Sequence, residues 1–371
     1  MDPPSAKLTS LGGAVEAVVS AGGLPRAAMV ARVRADEAPA LLHLLSSLEL
    51  SSGWALENKL PLKRAAIAVD LLTIVASALL PVLAEDPADK HALDELRRYA
   101  FRIKDCAQMA GGTFRTEACR VAGLLLNLRN RARQLVPPPA LQDNIKAIRS
   151  AIAQLKSSRL TLLEVNDDDG EKVEVEVDIE EEEEDDDVGA RPPRHGSGRK
   201  RGLQVAAPTI RATSLKLAME AAVEAAGSPR EVLVAAVHLR HSTALQELLR
   251  YEHLRNGWNV LYGDRVEALA SADNLLLIIS AGVLPGLASD PTSNPLLRLL
   301  QTFAGQVRQL AQVVGGSVES ELTGMVALLL DLVHDARLPV VTRSWLQRSA
   351  RTLIGKITTL RTCQVTLSED A

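Results

Sequence analysis

The sequence predicts an all-α fold made by tandem duplication of one multi-helix domain, with a disordered linker between the copies. Apolar residues recur at three- and four-residue spacing along almost the whole chain outside residues 164–213, the signature of amphipathic helices. The apolar content is Leu, Ala, Val and Ile, with only three each of Trp, Tyr and Phe. Rare residues return at a constant offset: AVEAVVSAGGLPR from Ala14 reappears as AMEAAVEAAGSPR from Ala218. At that offset Trp54 falls on Trp258, Pro81 on Pro285, Asp86-Pro87 on Asp290-Pro291, Gly111-Gly112 on Gly315-Gly316 and Arg133 on Arg337. Roughly a third of positions agree over about 100 residues without a gap, a self-similarity too long for chance. A one-residue shift then aligns Ile148, Ile152, Leu155 and Leu162 with Leu353, Ile357, Leu360 and Leu367.

In order along the first copy, the spacing predicts helices around Val15–Val19, Met29–Val33, Leu41–Leu50, Ala65–Leu83, Leu93–Met109, Val121–Leu135 and Ile145–Leu155. Gly22-Gly23, Pro25, Ser51-Ser52-Gly53, Asp86-Pro87, Gly111-Gly112 and Pro137–Pro139 separate them. Connections this short force neighbouring helices to pack on each other. The expected division is a disordered start at 1–10, a helical domain at 11–163, a linker at 164–213 and a second helical domain at 214–368. The stretch Ala65–Ala84 is of membrane-spanning length with one charge, Asp70. Its recurrence with Asp273 and Asn274 at the head and Pro285 near the end favours a buried central helix, so no membrane association is expected.

VVSAGGLPRAAMV and IISAGVLPGLASD, followed by the Leu-rich LLHLLSSLEL and NPLLRLLQTF, resemble pieces of armadillo or HEAT repeats. In that family a helix ends in Ala-Gly-Gly, a Pro starts the next, and a Leu-rich helix carries the core. The resemblance implies a right-handed stack of helices with a groove for partners. A closed bundle is the alternative, since a ~40-residue period is not sustained.

The linker opens with an acidic run: from Glu164 to Val188 there are 16 acidic residues and one Lys, which resist compaction by mutual repulsion. Five basic residues then lie between Arg191 and Arg201, and GRKRG at Gly198–Gly202 has the character of a nuclear import signal. The net charge of -4 hides an excess of six basic residues over residues 1–163 and near balance in the second copy. Arg115, Arg120, Arg129, Arg131 and Arg133 crowd one expected helix, a candidate face for an acidic partner. Val173, Val175, Val177 and Ile179 alternate with acidic residues and resemble a SUMO-interacting motif able to add as an edge strand. The acidic run is a spacer, a tethered competitor for the basic face, or a ligand for basic proteins.

Chemistry-bearing constellations are not legible. Cys106, Cys119 and Cys363 are too few and scattered for a disulfide framework or Cys-rich metal site, and an intracellular location, nuclear or cytoplasmic, is expected. His238, His241 and His253 are the only local His group, and no metal or cofactor is expected. The sequence has no phosphate loop and no Gly-x-Ser-x-Gly elbow. Trp54 and Trp258 read as core anchors. Trp345, aligned near Leu141, is the candidate partner-binding aromatic of the second copy. The expected function is a non-enzymatic scaffold or adaptor for protein partners, modulated by the acidic linker; the alternative is a nuclear chromatin- or RNA-associated factor whose first domain binds nucleic acid.

Overall fold

The computed structural model describes residues 6–8, 10–21, 27–30, 33–52, 55–57, 59–134, 137–161, 210–212, 214–225 and 230–367. The linker motifs, including Val173, Val175, Val177, Ile179 and Gly198–Gly202, lie outside the described residues, as does Trp54. The described chain is dominated by α-helices, in line with the all-α expectation.

In the first half the helices are α1 (Leu11–Ala21), α2 (Ala38–Ser52), α3 (Lys59–Ile74), α4 (Leu80–Glu85), α5 (Lys90–Ala110), α6 (Gly112–Arg133) and α7 (Pro138–Ser157). In the second they are α8 (Leu215–Ala225), α9 (Ser242–Asn256), α10 (Gly263–Ile278), α11 (Leu284–Ser289), α12 (Asn294–Val314), α13 (Gly316–Asp335) and α14 (Arg343–Thr362). A π-helical turn joins α3 to α4 at Val75–Leu79, and its counterpart joins α10 to α11 at Ile279–Val283. Each precedes a proline, Pro81 or Pro285, whose missing N–H interrupts the ladder where the helix widens. The stretches Lys59–Glu85 and Gly263–Ser289 are long and apolar enough to cross a membrane; here 67% and 72% of their most apolar windows are buried against the rest of the chain.

The Gly-Gly pairs make the same tight corner twice. Gly111 and Gly112 have φ of 68° and 57°, and Gly315 and Gly316 have 67° and 62°, the left-handed region that a side chain disfavours. A Cβ on Gly112 would lie 2.2 Å from the Thr161 carbonyl oxygen, and one on Gly316 would lie 2.5 Å from that of Thr366. At each corner a hydroxyl pair closes the loop. The backbone N–H of Thr113 donates to Thr161 Oγ1 (3.1 Å) and that of Thr161 to Thr113 Oγ1 (2.9 Å). Ser317 and Thr366 repeat the exchange at 3.3 and 2.9 Å.

Short strands supplement the helices. β1 (Ala6–Leu8), β2 (Ala27–Val30) and β4 (Ala55–Glu57) form a parallel sheet in the order β1-β2-β4, and β3 (Val33–Arg34) pairs antiparallel with β5 (Arg159–Leu160). The second half repeats this with β6 (Ile210–Ala212), β7 (Glu231–Val234) and β9 (Asn259–Leu261), and with β8 (Ala236–His238) against β10 (Gln364–Thr366). The helix expected around Met29–Val33 is therefore strand. Four consecutive apolar residues at 27–30 fit a short buried strand as well as a helical turn, and spacing alone cannot separate them.

The halves interlock. α1 packs on the π turn and on α10, α11 and α12 of the second half, whereas α8 packs on the π turn, α4 and α5 of the first. α2 packs against α10 and α9 against α3, so α2, α3, α9 and α10 form a shared central layer with reciprocal contacts about an approximate twofold axis. One continuous core runs from Leu11 to Leu367. The helical segments 11–163 and 214–368 thus share one core. Gly282 leaves room for Val15, whose Cγ2 would lie 2.6 Å from any Cβ at position 282. The first half has Ala78 at the matching place, in the π turn on which α8 packs.

Candidate functional site

The five arginines proposed as a basic face lie on α6, and most are already engaged. Arg129 is buried, 8% exposed, and reaches Asp94 at 3.4 Å; the exposed Arg133 reaches the same carboxylate oxygen at 3.4 Å. Arg120 pairs with Glu117 at 2.9 Å and Arg131 donates to Asn144 at 3.2 Å. Arg115 is exposed, with no hydrogen bond or salt bridge from its side chain to a described residue. Trp345 is 44% exposed in the first turn of α14, where its N–H is capped by Thr342. The turn leading to it exposes Leu338 and Val340, at 41% and 88%. Trp258 is fully buried, as its placement after a Leu-rich helix suggested.

Two of the histidines serve the backbone. His238 Nδ1 bonds the Thr362 carbonyl at 2.9 Å, and His253 Nδ1 bonds the Trp258 carbonyl at 2.6 Å. Among the described residues, no group of three His, Cys, Asp or Glu side chains is placed to hold a metal ion.

A cavity of about 570 Å³ opens where the halves meet. α3 and α7 form one wall, and α9, α10 and α14 with the short turn before α9 form the other. Matching positions of the two halves face it: Asp36 and Arg240, Asp70 and Asn274, Lys156 and Arg361. Lys156 Nζ donates to Thr73 Oγ1 at 2.7 Å, and Thr73 Oγ1 donates to the Val69 carbonyl at 2.9 Å. Arg361 grips the buried Asp273 with two hydrogen bonds, Nε to Oδ1 at 2.6 Å and Nη2 to Oδ2 at 3.0 Å. Asp36 is paired outside the cavity by Arg34 at 2.9 Å. Arg149 and Arg240 are exposed at its rim, and neither they nor Asp70 make a hydrogen bond or salt bridge with a described residue.

Desolvation governs the charges here. Burial pushes the Asp70 carboxyl well above the usual carboxylate range, Glu247 adds to the rise, and Lys156 opposes it. Burial lowers the Lys156 ammonium, opposed by Asp70 and Asp36. Burial, with Arg240, His238 and Lys156, brings His241 down to about 4, so its imidazole is neutral near pH 7. The sequence held one signal for this site, the acidic residues Asp70 and Asp273 inside otherwise apolar helices. It could not show that α7 and α14 bring Lys156 and Arg361 to them from 86 and 88 residues away.

A second titratable cluster bridges α5 and α9. Glu95 Oε1 accepts from Arg98 (2.7 Å) and from Arg255 of the other half (2.6 Å), and Arg102 pairs with Glu247 at 3.0 Å. Arg102 also stacks over Tyr251, 4.7 Å from the ring centre, and Tyr251 lies 5.9 Å from Tyr99. Glu252, 1% exposed, accepts from Asn256 at 2.5 Å. Burial and the neighbouring Glu95 push the Glu252 carboxyl up to about 7.

No family model matches the chain, and no curated protein or solved structure matches it.

Proposed function

We propose that the chain is a non-enzymatic scaffold or adaptor for protein partners, made of two diverged copies of one helical unit and modulated by its acidic linker. The observation that carries this reading is the α13–α14 turn, which presents Leu338, Val340 and Trp345 together to solvent. Exposed tryptophan beside aliphatic residues is the composition of an interface anchor, because the ring buries a large area on docking at little entropic cost. The matching turn of the first copy has Gln134, Val136 and Leu141 and no aromatic, so recognition belongs to the second copy. The α6 arginines favour protein partners over nucleic acid. Four of the five are engaged by Asp94, Glu117 or Asn144, whereas phosphate binding needs free cations along one face.

The test is a photo-crosslinking residue at position 345 of the full chain, expressed in its own cells. A defined adduct, reduced by Val340→Asp, is expected. Labelling no stronger than at the exposed control position Arg308 would sink the reading. Salt-sensitive binding of the full chain to duplex DNA or RNA would instead move the assignment to the chromatin- or RNA-associated alternative.

A further inference from the structure

We infer that the cavity between the halves is a binding site for a small phosphorylated molecule, held by Lys156, Arg149 and Arg240. Charge pairing inside the cavity leads to this ligand class. Of the three acids that line it, Asp273 is held through both oxygens by Arg361, and Asp36 is paired through Oδ2 with Arg34, its Oδ1 being left without a partner. Of the four cations, only Arg361 is paired; Lys156 spends one N–H on Thr73 and keeps two. Three cations therefore face one unpaired carboxyl, Asp70. Such an excess inside a concave, partly desolvated site favours a compact anion of two or more charges.

Size and lining narrow the class. About 570 Å³ falls in the range of pockets for small organic ligands, far larger than inorganic phosphate requires. The Thr243 hydroxyl faces the cavity, the Ser77 and Thr358 hydroxyls, whose protons go to the Thr73 and Ile354 carbonyls, can accept from a polar body, and Ile152 and Leu277 give it an apolar floor. A phosphate ester of a small polyol or nucleoside matches both parts. The cationic end would lie among Lys156, Arg149 and Arg240, which come from both halves, so a bound molecule bridges the twofold axis. Asp70 is the discriminating residue, because its counterpart in the second half is Asn274: the framework accepts an amide there, and the substitution removes the one unpaired carboxyl that can become an opposing charge as pH rises.

The experiment is calorimetric titration of the full chain with inorganic pyrophosphate at physiological salt, alongside Arg240→Gln, Arg149→Gln and Asp70→Asn. Both arginines are exposed, so their removal leaves the core untouched. Saturable one-to-one binding is expected, about tenfold weaker in each arginine variant, since a charge-assisted hydrogen bond contributes on the order of one decade of affinity. Asp70→Asn should bind at least as tightly as the parent, with an advantage that grows as pH rises and Asp70 ionises in the parent chain. Absence of saturable binding, equal affinity in both arginine variants and the parent chain, or weaker binding by Asp70→Asn would each overturn the assignment.

Discussion

The two flanks of the central layer occupy matching places in the fold but solve the packing problem differently. On the α5–α9 flank stand Glu95, Tyr99 and Arg102 of one half with Glu247, Tyr251 and Glu252 of the other, a network of buried and half-buried charges. At the matching α12 positions the sequence has Leu299, Phe303 and Gln306, and His43 stands in α2 where α9 has Glu247. Phe303 is buried and Leu299 is half-buried against the core. The same backbone frame thus tolerates either an apolar or an ionic filling. Because Leu299, Phe303, Gln306 and His43 make no ion pair with a described residue, the frame does not depend on an ionic cluster at these positions. Buried ion pairs often gain little over a hydrophobic replacement, since desolvation cancels much of their attraction.

The largest expected effect tests what the halves have kept identical. Gly112→Ala places a Cβ 2.2 Å from the Thr161 oxygen at φ of +57°, and Gly316→Ala repeats the offence at 2.5 Å and +62°. A strained backbone together with a clash against another backbone atom should cost about 3 kcal/mol or more in each case. Chemical denaturation of the two single variants should give losses within about 1 kcal/mol of each other, since the corners are geometric twins. A large loss for one and none for the other would break the equivalence of the halves.

The next effect sharpens their difference. A folded-state pKa of about 7 for Glu252, against 4.5 unfolded, means the native state binds the extra proton between those values. Stability contributed by this group is therefore lost as pH rises from about 4.5 to 7, with an upper bound of about 3.5 kcal/mol at 1.36 kcal/mol per unit. His241 acts oppositely, because its depressed pKa lowers stability as pH falls from 6.5 to about 4. The informative quantity is thus the difference between the parent chain and Glu252→Gln at each pH. That variant should gain on the parent steadily from pH 5 to pH 7.5. A pH-independent difference would show that Glu252 titrates normally and that the α5–α9 flank is better solvated than its burial implies.

Much of the helical frame was legible because it depends on local signals. The glycine corners and the prolines mark helix boundaries and the apolar spacing places α5 within a few residues, whereas α6 and α7 begin nine and seven residues before the expected Val121 and Ile145. The exchange of α1 and α8 between halves was not legible. Both are short helices whose apolar spacing does not say which half they pack on, and close contacts such as Val15 on Gly282 join residues far apart in the chain. Strands of two to four residues carry too little alternation to be read. Among the candidate site residues, the sequence placed Trp345 at the surface but could not show that Asp94 and Asn144 reach across to engage Arg129, Arg131 and Arg133. The cavity eluded sequence reading for the same reason: its cations and acids come from four helices and two short turns far apart in the chain.

The smallest effect bears on the same flank. Tyr99 is 2% exposed and its hydroxyl has no hydrogen-bond partner, nor has Glu252 Oε1. Burial, reinforced by Glu252 and Glu95, keeps the phenol protonated, so it is a donor without an acceptor. Tyr99→Phe installs the residue that the other half uses at Phe303 and removes a buried polar atom that gains nothing. The ring packing is preserved, so the variant should be neutral or more stable by up to about 1 kcal/mol in thermal or chemical unfolding. A loss of 1 kcal/mol or more that grows above pH 7 would mean the opposite: the hydroxyl would be donating to an ionised Glu252, and the ionic flank would be a closed network rather than a tolerated substitute for the apolar one. The sign of this one substitution therefore decides whether the two flanks differ in composition alone or in the rigidity of their polar groups.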